Sequence, residues 1–167
     1  EDQVIGSLEK FDAVLRPVVV HAPSSPVIKG TQLVRAAIAT LRDEGLDFEY
    51  VELIGVPHEE VTLQLQRAHI VLNQFFAYIP GVFGIEAMAA GAVVMQSADE
   101  GLEPDLPQGS NSAWVVTPSN RVTEELRRVL QLPGEELRAQ AETGRQWVLS
   151  NAVASVSREK LHRLLGE

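Results

Sequence analysis

Residues 70–95 read IVLNQFFAYIPGVFGIEAMAAGAVVM, and this stretch decides the fold. Ile70-Val71-Leu72 is a short apolar run closed by the amides Asn73-Gln74. Phe75 to Gly84 is apolar but broken by Pro80, Gly81 and Gly84. Glu86-Ala87-Met88-Ala89-Ala90 then has helical composition and is stopped by Gly91, after which Ala92-Val93-Val94-Met95 returns to strand. Strands that are apolar throughout, joined by a helix, belong to a parallel sheet covered on both faces.

The same alternation continues outward. Upstream, Pro17 introduces the strand Val18-Val19-Val20, followed by a turn-rich loop, His21 to Pro26. Gly30-Thr31 precedes a helix with Leu33, Val34, Ala37, Ile38 and Leu41 on one face, closed by Gly45. Phe48 to Ile54 reads as a strand, and Pro57 with His58-Glu59-Glu60 opens a helix whose first turn is acidic, as its dipole favours. Downstream, residues 97–112 form a polar loop and Trp114-Val115-Val116 a last strand. A helix follows from Asn120 with Val122, Leu126 and Val129 aligned, Pro133-Gly134 breaks it, and two helical stretches cover 135–149 and 151–165. The pattern predicts an α/β, three-layer Rossmann-like domain over residues 17–167 with a mainly parallel sheet, and residues 1–16 as a lead-in or interdomain linker. The loops at 21–30, 54–58, 73–84 and 96–112 should meet at the carboxyl ends of the strands, where such folds bind ligands.

Composition narrows the function. The 167 residues are 45% hydrophobic and 22% charged, which is ordinary for one globular domain. Fourteen Lys plus Arg against 23 Asp plus Glu give a net charge of −9, which argues against a nucleic-acid partner but not against a small anion held locally. With no cysteine there is no disulfide and no thiolate chemistry. His21, His58, His69 and His162 are too scattered for metal-ligand spacing, and no cofactor is implied. No apolar run is long enough to span a bilayer, and neither a Walker A loop nor a Gly-x-Gly-x-x-Gly fingerprint is present.

Three stretches can carry chemistry. Lys29 stands at the mouth of a helix beside Gly30, where an ammonium and backbone N–H groups can together hold phosphate oxygens; the alternative is a solvated loop lysine. His21, at a strand end, is a ligand contact or a satisfied structural histidine. Gly81 and Gly84 permit close approach to a ligand at a helix start, and Glu86 can accept two hydrogen bonds from a ribose diol; the alternative is a small-residue helix packed on the sheet. Asn73-Gln74 offer amides to a ligand or cap their own loop.

Taken in order, Lys29-Gly30-Thr31, Ala68 to Gln74, and Gly81 to Gly91 followed by Val93-Val94 resemble the C-terminal half of GT-B retaining glycosyltransferases, in the group 1, family 4-like class that includes sucrose synthases and mannosyltransferases. The resemblance runs from about residue 17 to 165. It implies one half of a GT-B fold, a nucleoside-diphosphate sugar as donor substrate, and a partner N-terminal domain that supplies the acceptor side. By the same resemblance Lys29 neutralises the diphosphate, as substrate contact and catalytic group. Gly81, with the neighbouring Val82, Phe83 and Gly84, faces phosphate and sugar. Glu86 holds the ribose, and Ile54, Gly55 and Val56 border the base. The scheme retains anomeric configuration, needs no metal, and sets the protein in the cytoplasm, with the partner domain as the route to any membrane surface. A hexosyltransferase-like enzyme is expected, inactive as this chain alone. The sequence departs from the family at Tyr78, where the first glutamate of the Glu-x7-Glu motif belongs, at residues 22–28, which lack the usual arginine, and at Asn73, where many relatives carry aspartate. A non-catalytic Rossmann-like interaction module without nucleotide affinity is the competing expectation.

Overall fold

The computed structural model describes residues 6–152. Among these residues five strands form one parallel sheet: β1 (Val18–His21), β2 (Glu49–Glu52), β3 (Ile70–Leu72), β4 (Val93–Gln96) and β5 (Val115–Val116). Their order is β2-β1-β3-β4-β5, so the connections diverge between β1 and β3. Val20 pairs with Val51 on one side and with Val71 on the other, which fixes the register across that divide. This is the position where a doubly wound sheet leaves a crevice outside its strand ends.

The helices are α1 (Pro26–Lys29), α2 (Thr31–Asp43), α3 (His58–Arg67), α4 (Gly81–Ala89), α5 (Val122–Leu130) and α6 (Gly134–Trp147). Because strand side chains alternate, each strand feeds two cores. Val19, Ile70, Leu72, Val93 and Met95 pack against Val34, Ile38 and Leu41 of α2 and Leu126 and Val129 of α5. Val18, Val20, Val71 and Val94 pack on the other face against Leu65 of α3, Ala87 and Met88 of α4, and Trp114. Three layers and a parallel sheet are as the sequence pattern predicts.

Several details differ from the sequence reading. Residues 26–29 form a single helical turn rather than a loop, since Pro26 suits a first helical position and Gly30, at φ 69°, ends the turn in a left-handed conformation. Helix α4 begins at Gly81, five residues ahead of the alanine-rich segment. Gly81 itself has φ 66° and redirects the chain after Pro80. Trp114 precedes β5 instead of belonging to it, and its indole N–H donates to the Ala98 carbonyl at 2.7 Å. Beyond α6 the chain widens into a π-helical turn, Val148–Ala152, and the helix expected over 151–165 lies almost wholly outside the described residues. Residues 6–16 run against the body, with Phe11 buried in the first core. Among the described residues no helix is long and apolar enough to cross a membrane, and no cluster of His, Asp or Glu has the makings of a metal site.

Candidate functional site

A cavity of about 610 Å³ opens at the carboxyl end of the sheet, beside the divide between β1 and β3. Three connections line it. The stretch after β1 gives Ala22 to Ser25, Ile28 and Lys29; the stretch after β2 gives Leu53, Gly55, Val56, His58 and Val61; the stretch after β3 gives Gln74 and then Gly81, Val82, Phe83 and Glu86 of α4. A backbone hydrogen bond from Phe76 N to the Ile28 carbonyl, 3.1 Å, ties the third stretch to the first.

Lys29 is the centre of this site. It ends α1 and is only 6% exposed, unusual for a lysine. Its ammonium donates to Asn73 Oδ1 at 2.8 Å and lies 5.4 Å from the centroid of the Phe83 ring. Among the described residues no carboxylate pairs with it. Burial without a counter-ion lowers its pKa to about 8, so it remains mostly charged at neutral pH. The first turn of α4 stands on the same cavity. It has no side-chain cap and no acidic residue, so its N–H groups keep their partial positive charge for whatever enters.

Asn73 is fully buried and does not line the cavity. Its Nδ2 donates to the Pro80 carbonyl at 2.6 Å and to Gln96 Oε1 at 2.5 Å. The amide therefore serves Lys29 and the loop rather than facing solvent. Gln74 does line the cavity, with Nε2 on the Ile79 carbonyl at 2.5 Å. Gly84, on the inner side of α4, lies against the Asn73 and Gln96 amides. A Cβ there would fall 2.5 Å from Asn73 Nδ2 and 3.0 Å from Gln96 Oε1, so only glycine allows the helix to sit so close. Glu86, two residues further, reaches the cavity half-exposed, and His58 Nε2 lies 3.6 Å from its Oε1, too long for a hydrogen bond.

The remaining expectations divide. Gly55 and Val56 line the cavity, whereas Ile54 is 57% exposed beside it. His21 is fully buried on the α2 side: Nδ1 bonds the Leu72 carbonyl at 2.8 Å and Nε2 the Thr31 hydroxyl at 3.0 Å. Burial holds its pKa below the ordinary imidazole value. It pins β1, β3 and α2 together and does not line the cavity. The sequence reading places Ser24, Ser25 and His58 at the crevice only as part of the stretches 21–30 and 54–58, without singling them out, and it does not name Gln96, whose signal is a polar residue ending an apolar strand.

No protein-family model matches the chain, and no curated protein does. Solved structures do. Sucrose-phosphate synthase from Thermosynechococcus elongatus superposes with a TM-score of 0.65 at 19% identity, over 98% of this chain and 50% of that one, so this chain spans about half its length. The C-terminal domain of a glycosyl transferase group 1 family protein from Francisella tularensis superposes with a TM-score of 0.58 at 18% identity, over 90% of this chain and 96% of that domain. At these identities the likeness is one of fold. The parallel sheet flanked by helices has the architecture of the Rossmann-like half of GT-B glycosyltransferases, similar to their C-terminal domains.

Proposed function

We propose that this chain is the donor-binding domain of a retaining glycosyltransferase and takes the diphosphate of a nucleoside-diphosphate sugar at Lys29 and the start of α4. The observation that carries this is a buried ammonium whose one hydrogen-bond partner among the described residues is a neutral amide, on the same cavity as an uncapped helix N-terminus. Both features attract an anion, and among the described residues neither has one. The ribose then lies toward Glu86, and the base toward Gly55 and Val56.

In transfer, the bond from the anomeric carbon to the diphosphate oxygen breaks, a bond from that carbon to the acceptor oxygen forms on the same face, the acceptor proton passes to the leaving diphosphate, and negative charge grows on the leaving oxygens. Lys29 and the α4 amides are preorganised for that charge. Residues 17–167 form the donor domain, residues 1–16 connect it to a second lobe that brings the acceptor, and the setting is cytoplasmic. Titration with UDP, GDP and ADP, followed by NMR, tests the reading. Shifts at Lys29, Val82 and Glu86 are expected; silence at millimolar ligand rules the donor site out.

A second reading, an interaction module without nucleotide affinity, draws support from exposed apolar side chains on the connections that line the cavity. Val27 is 82% exposed, Val82 74% and Phe76 55%. Tyr78, 52% exposed, stands where the family motif has its first glutamate. The same titration separates the two.

A further inference from the structure

We propose that Gln96 is a positioning residue for the anion site: it fixes which end of the Asn73 amide meets Lys29. The inference rests on the reading of Lys29 as the anion-binding cation.

Gln96 closes β4 and is fully buried. By strand parity it shares a face with Val94, toward α4, just as Asn73 shares the face of Val71. Its Oε1 accepts one Asn73 N–H at 2.5 Å, and the Pro80 carbonyl accepts the other at 2.6 Å. The nitrogen end of Asn73 is thereby held between two acceptors, which leaves its oxygen for the Lys29 ammonium at 2.8 Å. With the amide reversed, an NH2 would face an ammonium and an oxygen would face two oxygens. The orientation is set by Gln96 and Pro80, not by Lys29 alone.

Gln96 holds this role at a cost. Its Nε2 is buried and has no hydrogen-bond partner in the described structure. Turning the Gln96 amide would bring a donor against a donor at Asn73, so the unpaired nitrogen is fixed with the paired oxygen. An apolar residue would avoid the orphan and give up the acceptor. The consequence reaches the cavity: one of the three ammonium donors of Lys29 is anchored on a neutral oxygen, and the others and the full charge remain for a ligand.

The test uses the full chain with carbon-13-labelled lysine and reads the Lys29 ammonium midpoint by NMR, without ligand and with UDP, GDP or ADP. Gln96→Met is expected to lower the Lys29 midpoint and to weaken diphosphate binding about threefold to tenfold at pH 8, the scale of one weakened charged hydrogen bond. In an Asn73→Ala background the same substitution should change neither, because Gln96 acts through Asn73. A residue that only stabilises the fold would lower Tm and leave the midpoint in place, and that result overturns the proposal. If the midpoint moves while the unaltered protein binds no diphosphate, the positioning role stands and the donor reading fails. Should Gln96→Met not fold, hydrogen exchange of the Asn73 side-chain amide in the unaltered protein decides: slow exchange is expected, and fast exchange overturns it.

Discussion

Two lysines of this chain stand at opposite ends of the same helix. Lys10 donates to the Ala90 carbonyl, at the C-terminal end of α4, and to the Gln66 carbonyl, both at 3.3 Å. Lys29 lies on the cavity where α4 begins. Each is near an aromatic ring, Phe11 at 5.6 Å and Phe83 at 5.4 Å, and each has its pKa lowered to about 8. Burial is the main cause in both; Arg145 adds to it for Lys10. Yet a cation belongs at a helix C-terminus and an anion at an N-terminus. Lys10 completes its end of α4, whereas Lys29 adds positive charge to an end that is already positive. A depressed lysine pKa therefore does not by itself mark a site; the direction of the helix beside it does.

The largest expected effect separates the two directly. Lys29→Met keeps the aliphatic stem and removes the charge, and should weaken diphosphate binding about 10- to 100-fold, as expected for a charged hydrogen bond of about 1.5–3 kcal/mol. Lys10→Met should leave binding within about twofold and instead cost stability of about 1 kcal/mol, by freeing two helix-end carbonyls. Calorimetric titration and urea unfolding of both variants measure this. Equal losses of binding would erase the distinction between the two ends.

The N-terminal end of α4 is also tightly packed on its polar contacts. Gly84→Ala brings a methyl onto the Asn73–Gln96 pair and should cost about 1–3 kcal/mol of stability, the range for overpacking. Because the pair orients the partner of Lys29, diphosphate affinity should fall with it. A Gly84→Ala protein with unchanged Tm and unchanged affinity would show that α4 shifts freely and that the close approach has no role.

Much of this was legible in the sequence. The apolar runs at 18–20, 70–72 and 93–95 place three of the five described strands, and Lys29-Gly30 announces a helix mouth. The resemblance sets Gly81, Val82, Phe83, Gly84 and Glu86 at the ligand, and all of these but Gly84 line the cavity. What could not be read was which strand-end polar groups turn inward. Asn73 and Gln96 each follow an apolar strand and look equally suited to a ligand or to the interior. Their shared face becomes visible only when the register of β3 and β4 is known, since Ile70 pairs with Val93 and both amides then point under α4. The start of α4 was hidden for a related reason. Two glycines and a proline read as breakers, while the positive φ of Gly81 makes them a helix entrance.

The lysine pair also fixes a pH dependence, with a tenfold effect per unit. If binding needs protonated Lys29, affinity falls about tenfold for each pH unit above about 8, and binding takes up a proton in that range. Lys29→Met should abolish this slope and Lys10→Met should keep it. Stability has the opposite trend. Both lysines are charged less readily in the fold than in the unfolded chain, so between about 8 and 10.5 the unfolded state binds more protons and their contribution to stability rises with pH. A protein that binds diphosphate equally at pH 7 and 9.5 would remove Lys29 from the site.

The smallest expected effect concerns acid, and it again sets one end of the sheet against the other. His69, near Lys10, accepts the Val18 N–H on Nδ1 at 3.0 Å and donates from Nε2 to the Lys10 carbonyl at 3.0 Å. His21, near the cavity end, donates from Nδ1 to the Leu72 carbonyl and accepts the Thr31 hydroxyl on Nε2. Burial lowers both pKa values, so both rings are held neutral, and the stability this gives is present above about 6.5 and lost as pH falls through the folded values. The geometries differ in what protonation breaks. A charged His21 keeps both partners once the Thr31 hydroxyl turns to accept, and meets the penalty of burial with the smaller repulsion of Lys29 and Arg35, against the attraction of Glu52. A charged His69 carries a proton on the nitrogen that must accept from Val18, so it loses a backbone bond at the start of β1. Unfolding followed from pH 7.5 to 5 should therefore show a stability loss accompanied by faster exchange of the Val18 amide, with the Thr31 end unchanged. Simultaneous loss at both ends would mean that burial alone, and not the hydrogen-bond direction, controls the response.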